Sequence, residues 1–182
     1  MNTILLSLSI LGGLIVLLLI IGLFSKKGYS VYRNIIINRP KSEVFDYIRH
    51  LKNQDFYNKW VMKDPDMKKE YRGTDGTVGF VYAWNGNREA GEGEQEIMKI
   101  KEGERIDVEV RFIRPFSAIA NGPYITESTA DDKTNLSWGM NSQLKYPMNI
   151  MLLFMNFDKL LGADLELNLN NLKNILENKG VN

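Results

Sequence analysis

Glu92, Glu94 and Glu96, with Glu89 just before them, form the densest carboxylate run in the chain. In an extended strand, residues two apart share a face. The three would therefore line up either as a metal-binding or acid–base row, or as a solvated face matched by cations across the strands. Arg88, Lys99 and Arg111 are available for the second role and no histidine joins the row, so an ion-paired outer face is expected. His50 is the only histidine, and any Ser-His-Asp triad or imidazole proton shuttle would have to use it. It sits near the end of a short helix beside Arg49 and Lys52, off the apolar stripe, where an imidazole compensates the helix dipole. One histidine excludes a histidine-rich metal site. The absence of cysteine excludes a disulfide, a thiolate zinc site and a cysteine nucleophile. Asp55, Asp64, Asp66 and Arg114 read as surface loop charges. These residues yield no catalytic assignment, no metal and no cofactor.

The apolar rows carry more information. Phe80, Tyr82 and Trp84 alternate along one strand, Ile106, Val108, Val110 and Phe112 along a second, and Leu136, Trp138 and Met140 along a third. They read as the concave face of a sheet. The competing reading is a solid core. With Met148, Met151 and Met155 from a C-terminal helix, they can instead line a cavity, since methionine is soft and apolar pockets with a few polar groups are the usual ligand sites. The expected ligand-binding residues are Phe80, Tyr82, Trp84, Val108, Val110, Phe112, Tyr124, Trp138, Met140, Met151 and Met155. Tyr82, Tyr124 and Ser142 are the polar groups placed to orient a ligand.

These rows need elements to hold them. Residues 29–38 are β-branched and alternating, which predicts a strand ended by Arg39-Pro40. Pro40 suits the start of a helix, with Ser42 or Asn38 to cap it. Val44, Phe45, Ile48 and Leu51 then predict a short amphipathic helix over roughly 41–52. Residues 54–60 predict a second short helix, and Asp64-Pro65-Asp66 a turn. Six strands follow at hairpin spacing: 67–72, 78–84, 91–101, 105–112, 119–128 and 134–146. The loop around Asp131-Asp132 separates the last two. From Met148 to Glu177, with Leu165, Leu169, Leu172 and Leu176 on one stripe, a single long helix is expected, ended by Asn178-Lys179-Gly180.

All 23 Lys and Arg and all 22 Asp and Glu fall after Ser25. The leader, Ile4 to Phe24, is apolar, and as a helix it would be roughly 31 Å long, about one bilayer core. A secretory signal would have a basic start, a shorter apolar stretch and a small-residue cleavage site. The start is Met-Asn-Thr and the exit Gly-Leu-Phe-Ser-Lys-Lys, so an uncleaved single-span anchor is expected. Lys26, Lys27 and Arg33 after the span then place the following domain in the cytoplasm. Gly12, Gly13 and Gly22 leave room for another helix to approach. Residues 1–28 are expected to be the anchor and 29–182 one soluble domain, long enough to bury its own core. The net charge of +1 points to no nucleic acid or acidic partner.

The soluble part resembles the START-like, pollen-allergen-like superfamily (SRPBCC), and within it the small bacterial proteins labelled polyketide cyclase or dehydrase. The resemblance rests on Ile36 to Phe45 (IINRPKSEVF), Val78-Gly79, Trp84-Asn85-Gly86-Asn87 and Gly91-Glu92-Gly93. Further support comes from Arg111-Phe112 with Arg114-Pro115-Phe116, Thr134 to Met140, Gly162-Ala163-Asp164 and Leu172-Lys173. It covers about residues 29–178. It implies an α+β helix-grip fold, in which a curved antiparallel sheet of about seven strands wraps around a long C-terminal helix. That superfamily includes ligand carriers, cyclases, hydroxylase domains and chaperone activators. The expected function is a membrane-anchored binding or carrier protein for a hydrophobic small molecule (a lipid, isoprenoid or polyketide-like compound). The alternatives are a cyclase- or dehydrase-like enzyme, with Tyr82, Tyr124 and an inward Glu96 as proton carriers, and a module that binds an unknown protein partner.

Overall fold

The computed structural model describes residues 2–130 and 132–178. The Lys179-Gly180 stop and Asp131 therefore lie outside the described residues. The leader is one helix, α1 (Thr3–Phe24), whose only buried residue is Gly22. It is long and apolar enough to cross a membrane, a description that a signal sequence also meets. After it come β1 (Gly28–Ile37), α2 (Lys41–Arg49), a 3-10 turn (Leu51–Phe56) and the single turn α3 (Lys59–Met62). The α2 helix starts at Pro40 with no side-chain cap, so neither Ser42 nor Asn38 fills that role. Its stripe of Val44, Phe45 and Ile48 is buried, as the 3.6-residue period requires.

Eight strands form one antiparallel sheet in the order β1-β8-β6-β5-β4-β3-β2, with β7 paired to β5 and β8. They are β1, β2 (Lys68–Arg72), β3 (Val81–Asn85), β4 (Glu92–Lys101), β5 (Arg105–Arg114), β6 (Ala118–Asn121), β7 (Tyr124–Ala130) and β8 (Lys133–Gln143). The expected strand 119–128 is thus two strands, because Gly122-Pro123 interrupts it. Proline cannot donate to a ladder, and β6 and β7 share the gap between β5 and β8.

The C-terminal stretch also departs from expectation. It is a 3-10 turn (Met148–Ile150), the single turn α4 (Met151–Phe154), a break at Met155-Asn156, and only then the long helix α5 (Phe157–Asn178). Asn156 accounts for the restart. Its side chain accepts from the Lys159 N–H at 2.9 Å, capping the new first turn. Leu165, Leu169, Leu172 and Leu176 on α5 are all buried against the sheet. At about 1.5–3 kcal/mol per fully buried Leu, this stripe is a main tie between helix and sheet.

The α5 helix lies alongside β1, and the contacts along it fix its direction. Tyr29 stacks on Phe157 with ring centroids 4.4 Å apart. Further along, Arg33 pairs with Asp158 and Glu166, and Arg39 donates to the carbonyls of Leu176 and Glu177. Helix and strand therefore run the same way, with the start of α5 beside the start of β1 and the end of α1.

Candidate ligand-binding site

Between the concave sheet face, α3 and the first turns of α5 lies a cavity of about 260 Å³. Tyr82 and Trp84 from β3, Val108, Val110 and Phe112 from β5, Tyr124 from β7, and Trp138 and Met140 from β8 all line it. Period-two alternation puts them on one face, and antiparallel pairing brings the rows side by side. Trp84 lies edge-on to Phe112, and its indole crosses β4 at Gly93, where a Cβ would sit 2.7 Å from the ring. Glycine is required at that crossing. Trp138 stacks on Tyr124 with centroids 4.7 Å apart and meets Tyr57 and Trp60 edge-on.

Three expected residues do not reach the cavity. Phe80 precedes β3 and is buried in the core, stacked on Tyr71. Met151 and Met155 belong to the broken segment before α5, which the continuous-helix reading had carried inward. Ser142 is also elsewhere, donating to the Ile119 carbonyl at 2.6 Å.

The floor of the cavity holds groups that sequence reasoning missed. Gln54 and Gln95 exchange reciprocal amide hydrogen bonds, both 3.1 Å. Asn58 donates to the Gln54 oxygen at 2.8 Å, and the Gln54 amide donates to the Tyr124 hydroxyl at 3.3 Å. Asn168 of α5 donates to Asn58 at 3.3 Å, and its oxygen accepts the Lys59 N–H at 2.8 Å. All four amides are buried. Buried amides persist where their bonds are made, and this row is tied together across β4, the 3-10 turn and α5. Gln95 was legible in principle, because the alternation that turns Glu94 and Glu96 outward turns Gln95 inward. Gln54, in a 3-10 turn with no clean period, and Asn58, capping the single turn α3, gave no such signal.

Tyr82 is the other polar wall group. Its hydroxyl donates to Asp55 at 2.7 Å, and Lys69 pairs with the same carboxylate at 2.8 Å. Asp55 is thus not the free surface charge expected. Burial, and then the Asp55 carboxylate, push the Tyr82 phenol well above its ordinary value. Burial does the same to Tyr124 and Tyr57. These hydroxyls are neutral hydrogen-bonding groups at neutral pH, not phenolates.

The outer groups resolve as ion pairs. Arg111 holds Glu94, Glu96 and Glu109 at 2.8, 2.6 and 2.7 Å, and Arg72 also holds Glu94. Those two arginines, through their hydrogen bonds, keep the Glu94 carboxyl below its usual range. Glu96 is therefore committed to Arg111 and does not line the cavity. Among the described residues no acidic or histidine cluster is placed to hold a metal. His50 ends α2, with Nδ1 3.6 Å from Asp75 and its ring against Gly76. At the cavity rim, Arg114 pairs with Glu92 at 2.7 Å and reaches Asn85 and Gly86.

No family model matches the chain, and no curated protein matches it. Solved structures do. Norcoclaurine synthase from Thalictrum flavum, as a point mutant with a transition-state analogue, superposes with a TM-score of 0.64 at 10% identity, covering 86% of this chain and 98% of that one. A protein from Nitrosospira multiformis matches at 0.54 and 20% identity, over 85% of this chain and 100% of its own. The di-domain ARO/CYC protein StfQ of the steffimycin biosynthetic pathway matches at 0.61 and 11% identity, over 86% of this chain and 53% of its own. The fold is the helix-grip fold. At these identities the likeness fixes the helix-grip architecture alone, and the chemistry must be argued from the cavity.

Proposed function

We propose that this chain is a membrane-anchored, START-like binding protein for a small hydrophobic molecule, with residues 1–28 as anchor and 29–182 as binding domain. The observation that carries the proposal is the cavity itself: about 260 Å³, walled by aromatic and aliphatic side chains and floored by an amide row. An engineered apolar cavity of about 150 Å³ takes up benzene, so this one suits a larger ring system or the end of a longer chain. The wall supplies apolar burial, while Gln95, which gives only one of its two amide N–H groups to Gln54, and Tyr124 can read one carbonyl or hydroxyl. That combination is the usual make-up of a small-molecule site. Lys26 and Lys27 at the end of α1 favour a cytoplasmic domain. A reporter that fluoresces only in the cytoplasm, fused after the last residue, should then be bright; a dark fusion would reverse the orientation.

Tryptophan emission tests the site. Trp60, Trp84 and Trp138 all line the cavity, so an apolar probe should shift or quench their emission saturably. Val110→Phe fills the middle of the cavity and should weaken the probe at least tenfold, about 1.4 kcal/mol. Added bulk in a tight core costs about 1–3 kcal/mol, whereas here the ring has space, so the urea midpoint should barely move. Unsaturable quenching that is the same in both proteins would refute the reading.

One observation favours an enzyme as a second reading. The Tyr82–Asp55–Lys69 chain would let the Tyr82 oxygen accept a hydrogen bond from a substrate hydroxyl while its own proton stays shared with the Asp55 carboxylate. Turnover of a cyclisable polyketide, lost in Tyr82→Phe, would favour it.

A further inference from the structure

The binding domain exposes large apolar side chains in several places, Phe56, Val78 and Met98 among them, and one group of them gathers at one end. Phe154 on α4 is 72% exposed, and Phe116, between β5 and β6, is 67% exposed; Leu153 and Leu160 are exposed as well. Strand register sets their position along the domain. In the β1–β8 pair, Gly28 faces Gln143 at one end and Ile37 faces Thr134 at the other. In β6, Ala120 faces Ser142, so the hairpin tip at Phe116 extends past the Gln143 end of β8. The start of α5, with Leu160, lies beside Tyr29 at that same end. Two turns at the opposite end are charged, with Lys101, Glu102 and Glu104 in one and Asp132 and Lys133 in the other, while the β2–β3 turn there exposes a single large apolar residue, Val78.

The apolar end is fastened to the last turn of α1. The Asn149 amide is fully buried and donates to the Gly22 carbonyl at 2.7 Å and the Lys26 carbonyl at 3.3 Å. Ile150 packs onto Gly22, where a Cβ would lie 2.6 Å from its Cγ1. The Gly22 carbonyl, which within the helix end takes only the Ser25 N–H at 3.4 Å, gains a closer donor, and the 148–154 segment is set level with the end of the apolar stretch. Gly22 is two residues from Phe24, roughly 3 Å along the axis. The cavity rim belongs to this end too. Tyr29, Ala90, Pro115 and Leu161 come from the ends of elements nearest Gly28.

We infer that this face docks on the lipid bilayer, with Leu153, Phe154, Phe116 and Leu160 seated in the interface and the cavity mouth opening onto it. The inference rests on the membrane-anchor reading and adds a second, separate contact with lipid. A bilayer is the one occupant that both covers exposed phenylalanines and must lie at the level where the apolar helix stops. Aromatic and aliphatic side chains with nearby lysines (Lys26, Lys27 and Lys145) are the usual composition of such interfacial segments. A ligand dissolved in lipid would then enter without crossing water.

The chain has no cysteine, so single-cysteine variants of the full-length protein can each carry one environment-sensitive fluorophore. Phe154→Cys, Leu160→Cys, Val16→Cys and Lys133→Cys would be labelled and reconstituted into phosphatidylcholine–phosphatidylglycerol vesicles. Lipids spin-labelled near the headgroup should quench positions 154 and 160 by about twofold or more, as for a segment lying in the interface. Position 133, roughly 30 Å away at about 3.4 Å per residue of β1, should not respond, and position 16 should respond to lipids labelled deep in the chain. Quenching at 154 or 160 supports the inference whatever position 16 does, because that position reports the anchor alone. Quenching at 16 with 154 and 160 open to aqueous iodide overturns the docking face and leaves the anchor intact. Shielding of 154 and 160 from both lipid and iodide also overturns it, since a second copy or another protein would then cover the face. Probe titration of the cavity is scored separately, so its failure would remove the ligand reading without touching this one.

Discussion

Tyr82 is where the cavity and the polar interior meet, and its hydroxyl gives the domain a pH signature. Its folded phenol is raised first by burial and then by Asp55; burial raises Tyr57 and Tyr124 too. Below about pH 10, the ordinary phenol value, these groups are neutral in folded and unfolded chains alike, and their contribution to stability is fully present. Above it the unfolded chain ionises while the folded chain keeps its protons, so stability falls as pH rises. Each buried tyrosine steepens the fall by at most about 1.4 kcal/mol per pH unit. Urea midpoints measured between pH 9 and 11 should therefore drop, and Tyr82→Phe should make the drop shallower. Parallel curves for the two proteins would mean that Tyr82 is solvated and that the wall does not close over it.

At the scale of elements, legibility followed periodicity. The leucine stripe of α5, the inward rows of β3, β5 and β8, and the ion-paired outer face of β4 could be read because periods of 3.6 and 2 record which side is buried. The failures fall where no period operates. Gly122-Pro123 splits one expected strand into two, and Asn156 restarts a helix that apolar composition alone made continuous. The second failure moved Met151 and Met155 out of the site. Gln54 was invisible because a six-residue 3-10 turn imposes no repeat on its sequence, and Asn58 because it caps the single turn α3, which is too short to show a period. Phe80 kept the right face but stands before the strand, where Tyr71 covers it. Met155 makes the correction testable. Truncation of a well-packed methionine to Ala costs about 2–5 kcal/mol, whereas Met155 is 38% exposed. Met155→Ala should cost less than the bottom of that range in urea unfolding and should leave probe affinity unchanged. A large loss of affinity would return α4 to the cavity wall.

For the whole molecule, the arrangement is a curved sheet closed on one side by α5, an apolar cavity opening near the start of that helix, and a leader fastened beside the opening through Asn149. Each part constrains the next. The α5 stripe and the amide row set the depth of the cavity, while the break at Met155-Asn156 leaves the 148–154 segment outside it. The central claim is that the cavity holds an apolar molecule, and native mass spectrometry of the full-length protein, released from mild detergent, tests it without a guess about the ligand. We expect one bound species of defined mass at a ratio of one to one, retained through detergent exchange and absent from Val110→Phe purified in parallel. An unliganded wild-type protein, with no uptake when lipid extract is added back, would contradict the claim.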